Sequence, residues 1–130
     1  MSKLSVKVIN FAKALDRLRE AVEEYKKPDA GDVIRDGMIQ RFEFTYELAW
    51  KTTKEYLEDM GLVDRNSPKA VIREAFAQKL ITNEPVWLLM INDRNQTSHV
   101  YKEEIAVEIA TRISKSYIGE FEKLMSELQI

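Results

Sequence analysis

Gln40-Arg41-Phe42-Glu43-Phe44-Thr45-Tyr46-Glu47-Leu48-Ala49-Trp50-Lys51 is the stretch on which the fold turns. It reads as the middle of a long helix from about Asp32 to Met60, with Gly61 as a C-terminal stop. Its apolar residues Phe42, Phe44, Tyr46, Leu48, Ala49, Trp50, Tyr56 and Leu57 do not form one narrow stripe. A helix that is apolar on several sides has to be buried on several sides. In a small domain this makes it a central helix, or one that also faces a partner chain.

The flanking sequence supplies the elements that cover it. From about Lys3 to Lys26, the residues Leu4, Val8, Phe11, Leu15, Leu18, Val22 and Tyr25 recur in steps of four and three. That is the stripe of an amphipathic helix, ended by Pro28 and Gly31. A third helix is predicted from about Pro68 to Lys79, with Ser67 as cap and Pro68 in the first turn. A fourth runs from near Asn83 to about Asn95. A fifth runs from about Val100 to Leu128, buried through Ile105, Ile109, Ile113, Tyr117, Phe121, Leu124 and Leu128 and capped by Thr97 or Ser98. Three long and two shorter helices with short links make an all-α, antiparallel bundle. No segment holds period-two alternation long enough to build a sheet. The whole chain, 1–130, reads as one domain.

Composition narrows the function. Of 130 residues, 45% are hydrophobic, which is enough for a core without staples. The absence of cysteine excludes a thiolate metal site, a disulfide framework and a cysteine nucleophile. It fits a reducing, cytoplasmic compartment. The longest apolar run, Val86 to Ile91, is far short of a membrane span. A net charge of -2 does not suit a general nucleic-acid coat.

Chemistry concentrates in Asp93-Arg94-Asn95-Gln96-Thr97-Ser98-His99-Val100-Tyr101, which holds the one histidine of the chain. It reads as a break between the fourth and fifth helices. Arg94 would end one helix and His99 to Tyr101 would begin the next. A helix N-terminus attracts phosphate. A guanidinium adds a two-pronged contact, and a histidine moves a proton near neutral pH. These groups suit a phosphodiester without a metal or cofactor. The plainer reading makes His99 a cap or surface group, and pairs Arg94 with Asp93 or with its own helix end. His99 and Glu103 share a helical spacing, but no second histidine or cysteine completes a metal set. Glu103 and Glu104 suit a helix start by the dipole effect, and they repel RNA. Metal-free RNA cleavage needs both a proton donor and a proton acceptor. With one His99 per chain, an active site here calls for a two-fold dimer through this segment and the second helix.

The pattern Arg94, four residues, His99, one residue, Tyr101 resembles the Arg-x4-His-x-Tyr motif of HepT-like proteins in the HEPN superfamily. The stretch Gln40 to Lys51 resembles the second helix of the branch named nucleotidyltransferase substrate-binding proteins. Pro68 to Ala75 and Trp87 to Tyr101 are similar to the same branch. The resemblance implies a helical bundle that forms a homodimer or higher homo-oligomer, with a cognate minimal nucleotidyltransferase as partner. It implies a toxin with metal-independent RNase activity on RNA, and an antitoxin that adds AMP to the motif tyrosine. Carried over, Arg94 and His99 are the catalytic pair, Tyr101 is the AMP acceptor, and Asp93 is the supporting acidic residue. The alternative within the same family is a non-catalytic subunit that presents substrate to the nucleotidyltransferase.

Overall fold

The computed structural model describes residues 2–62 and 66–128, all of whose regular elements are helical. They are α1 (Lys3–Tyr25), α2 (Asp32–Asp59), α3 (Pro68–Ala77), α4 (Glu84–Gln96), α5 (Glu103–Arg112) and α6 (Ile118–Leu128). A single π-turn, Ile113–Tyr117, joins α5 to α6 in one continuous rod. The five-helix, all-α bundle read from the sequence is therefore the fold.

Local sequence explains most boundaries. The side chains of Ser2, Ser67 and Asn83 accept hydrogen bonds from the backbone N–H groups of Ser5, Ala70 and Val86, capping α1, α3 and α4. Gly61 adopts a φ of 85°, and the Leu62 N–H reaches back to the Leu57 carbonyl at 2.9 Å. A glycine takes this left-handed conformation at little cost, which closes α2. Lys79 takes the same role after α3, with a φ of 65°.

α2 lies at the centre and packs against α1, α3, α5 and α6. Phe42 is fully buried at the middle of this contact. Its ring stacks on Tyr117, with centroids 5.4 Å apart, and lies 6.1 Å from Phe121. Phe121 in turn meets Phe11 of α1 and Trp87 of α4 edge-on. Four helices thus close on one aromatic cluster, which α2 enters through Phe42 and Tyr46. Trp87 is core; Trp50 is half-buried and donates to Glu47 at 3.2 Å.

Two expectations for the last helix are corrected. It begins at Glu103, not Val100, and neither Thr97 nor Ser98 caps it. Thr97 instead closes α4, its hydroxyl donating to the Arg94 carbonyl at 2.8 Å. Residues Thr97–His99 continue as one 3-10 turn, and Lys102 then adopts an extended conformation that starts α5. Arg35, buried on α2, lies beside that start, with Nη1 3.6 Å from the exposed Glu103 Oε1.

Candidate functional site

The turn between α4 and α5 carries the motif, and α4 fixes its first two members in opposite environments. Asp93 is 1% exposed. Its carboxylate accepts two hydrogen bonds from Arg112 of α5, Nε to Oδ2 at 2.7 Å and Nη2 to Oδ1 at 2.8 Å. The Tyr117 hydroxyl, in the π-turn, donates to the same Oδ2. A buried carboxylate is tolerable only when paired and hydrogen-bonded in this way. Burial, followed by the bond to Asp93 and its negative charge, holds the Tyr117 hydroxyl protonated well above its ordinary range, against the opposing charge of Arg112. The hydrogen bond to Asp93 raises the pKa of Arg112 as well, outweighing its partial burial.

Arg94 faces the other way, toward α2. Its Nη1 lies 3.4 Å from Glu43 Oε2, its Nε lies 3.6 Å from Glu47 Oε1, and its side chain is 34% exposed. Nη1 also donates to Thr97 Oγ1 at 3.1 Å. Glu47 is shared further with Trp50 and with Lys51, whose Nζ is 3.6 Å away. The pairing of Arg94 with Asp93, open on sequence grounds, is therefore not made: Asp93 belongs to Arg112, and Arg94 to Glu43 and Glu47.

His99 and Tyr101 both lie on the surface, their rings 6.2 Å apart and edge-on. Tyr101 is 76% exposed, and Lys102 Nζ stands 6.0 Å from its ring centre. Neither residue sits in the first turn of α5, so the helix start expected at His99 to Tyr101 lies at Glu103 instead. The helix start that does exist carries Glu103 and Glu104 in its first turn.

Four residues of this neighbourhood escape motif reading. Arg112 and Tyr117 look like an exposed charge and a stripe position. Glu43 and Glu47 look like solvated charges of α2. The one available signal is spacing: Ile105, Ile109, Ile113, Tyr117 and Phe121 step by four each time. In a regular helix such a run drifts by about 160°, so a local widening is needed to keep it on one face. Among the described residues, no group of three or more His, Cys, Asp or Glu side chains could hold a metal ion, and no helix is long and apolar enough to cross a membrane.

Comparison with known proteins agrees with this architecture. Residues 6–130 match the family model described as nucleotidyltransferase substrate binding protein like. A Haemophilus influenzae protein named "Probable ribonuclease HepT" is 31% identical over 102 residues, covering 75% of this chain and 69% of its own length. A Thermus thermophilus protein of known structure is 34% identical, with a TM-score of 0.84 over 92% of this chain and 99% of its own. A Haemophilus influenzae structure described as the fold of a substrate binding domain of a nucleotidyltransferase is 26% identical. Its TM-score is 0.86 over 93% of this chain and 98% of its own. A match over nearly the full length, on the same bundle, leaves one assignment: the chain belongs to the nucleotidyltransferase substrate-binding protein family, a HepT-like branch of the HEPN superfamily.

Proposed function

We propose that this chain is the toxin of a cytoplasmic toxin–antitoxin pair: a metal-independent ribonuclease controlled by a cognate minimal nucleotidyltransferase. The observation that carries this reading is the division of labour around the α4–α5 turn. Asp93 is pinned inside the bundle, while Arg94, His99 and Tyr101 stand on one short surface segment. The relative named as a probable ribonuclease HepT supports the activity. In this mechanism Arg94 contacts the scissile phosphate and stabilises the charge that develops on it. His99 transfers the proton. Tyr101 is the AMP acceptor: it is accessible, and Lys102 beside its ring offers a positive partner for an added phosphate.

One protomer supplies one histidine, so the second proton-transfer group comes from a second copy. Phe44 on α2 and Leu89 on α4 remain exposed, on the two helices that carry Glu43, Glu47 and Arg94. Phe44 lines a groove with Asn10, Lys13 and Arg17 of α1, and apolar side chains left on the surface suit a homodimer interface. Light scattering at micromolar concentration tests the dimer, and a monomer would remove the composite site. RNA turnover with chelator present, lost in His99→Ala, tests the activity.

A second reading has its own support. Arg94 is already paired with two carboxylates, which oppose an incoming phosphate. That arrangement favours a non-catalytic subunit presenting substrate to the nucleotidyltransferase, and absence of RNA turnover would select it.

A further inference from the structure

We infer that Arg112 and Tyr117 are positioning residues for Arg94, acting through Asp93, and that the π-turn exists to bring both onto that one carboxylate. The inference rests on the ribonuclease reading only where activity is measured.

Helix geometry sets the problem. Arg112 and Tyr117 are five residues apart. In a regular helix five residues turn by about 500°, which leaves the two side chains about 140° apart around the axis. One carboxylate is not reached from both positions. The structure widens the helix over Ile113–Tyr117, where the Ile118 N–H bonds the Ile113 carbonyl, five residues back. Across such a turn, residues five apart come onto the same side. Arg112 then gives its two bonds to Asp93 and Tyr117 gives the third. A π-turn is rare and less favourable than regular helix, and such turns often mark functional positions.

The consequence falls on the next residue. Asp93 is anchored from α5 and from the π-turn, so the last turn of α4 cannot rotate. Arg94 is thereby held toward Glu43 and Glu47. Arg112 has a second effect: it neutralises the buried carboxylate, which otherwise competes for the adjacent Arg94 guanidinium. Tyr117 keeps its ring stacked on Phe42, so its hydroxyl is separable from its core role.

Tyr117→Phe removes only that hydroxyl and is the primary test, made on the full chain in its native assembly. Two readings are taken: amide hydrogen exchange, and kcat and KM for RNA with chelator present. Amides of 94–101 should exchange about tenfold faster, the loss of one bond to a charged acceptor. Amides of α1 and α2 should keep wild-type protection. The kcat should fall by up to about 10², with KM rising by no more than about fivefold, as expected when a contact that strengthens in the transition state is misplaced. A purely structural role predicts loosening throughout and no such split. Wild-type exchange in 94–101, or a wild-type kcat, overturns the inference. If the wild-type protein cleaves no RNA, the ribonuclease reading falls, and the exchange data alone decide the brace in the same two directions. If Tyr117→Phe does not fold, Arg112→Lys takes its place, keeping the charge beside Asp93 but not the two-pronged bond.

Discussion

Arg94 Nη1 stands 3.4 Å from Glu43 Oε2, so the guanidinium assigned to phosphate meets a carboxylate first. Glu47 approaches Nε from the same helix at 3.6 Å. All three side chains are about a third exposed, which keeps each pair in the range of about 0–1 kcal/mol. The pairs therefore orient Arg94 without binding it firmly, and a phosphate displaces them at modest cost. Glu43→Gln and Glu47→Gln should each lower KM for RNA by about twofold to fivefold, the range such a pair allows. The gain should shrink at high salt, and stability should change by less than about 1 kcal/mol. KM at two salt concentrations checks this, and an unchanged or higher KM counts against phosphate binding at Arg94.

The Tyr117 hydroxyl makes a different prediction, about alkaline stability. Its folded pKa is raised above the ordinary value of 10.0 by burial and by Asp93. A raised folded pKa contributes stability below the unfolded value and loses it as pH rises above that value. The midpoint of thermal unfolding should thus hold to about pH 10 and fall beyond it. Tyr46, raised by burial and by Glu47, adds to the same fall. Tyr117→Phe should flatten the fall without abolishing it, because Tyr46 remains. Thermal melts between about pH 8 and about pH 11 bracket the unfolded value and decide the matter. Identical slopes for the two proteins would mean that the buried bond contributes nothing to alkaline stability.

Tyr101 is the converse case, an aromatic residue left in solvent. Nothing in the core depends on its hydroxyl, so Tyr101→Phe should alter stability by no more than about 0.5 kcal/mol. With ATP, magnesium and a cognate nucleotidyltransferase, the wild-type chain should gain AMP-sized mass increments that Tyr101→Phe does not. Mass spectrometry of the intact chain and its peptides reads both. Increments that persist in Tyr101→Phe would place the modification on another residue.

The bundle was legible because burial leaves a periodic trace. The stripe from Leu4 to Tyr25 states which face of α1 is covered. Of the several-sided apolar surface of α2, Phe42, Tyr46, Ala49 and Leu57 are buried, whereas Leu48, Trp50 and Tyr56 are half-buried and Phe44 is exposed. The cap of α3 was legible because a side chain does the capping, at Ser67. The start of α5 was not, because Lys102 offers no side-chain cap. The motif residues Arg94, His99 and Tyr101 stand out as rare types on one polar segment. Their supports do not. Asp93 looks like a surface carboxylate until Arg112 and Tyr117 are folded onto it, and that long-range pairing has no local signature. The run of four-residue steps from Ile105 to Phe121 held the clue to the π-turn, but an apolar stripe absorbs it without notice.

The ribonuclease reading depends on one property: the Arg94–His99 segment cleaves RNA without a metal. The most direct measurement compares wild type with folded His99→Ala on the same RNA, with chelator present throughout. Loss of one proton-transfer group typically costs about 10² to 10⁴ in rate. Wild type should cleave steadily, and His99→Ala should be slower by a factor of that size. The far-ultraviolet spectrum of the bundle should be unchanged, because His99 lies outside the core. Equal rates for the two proteins, or no cleavage by either, would contradict the ribonuclease reading and leave the chain as a binding subunit of its nucleotidyltransferase.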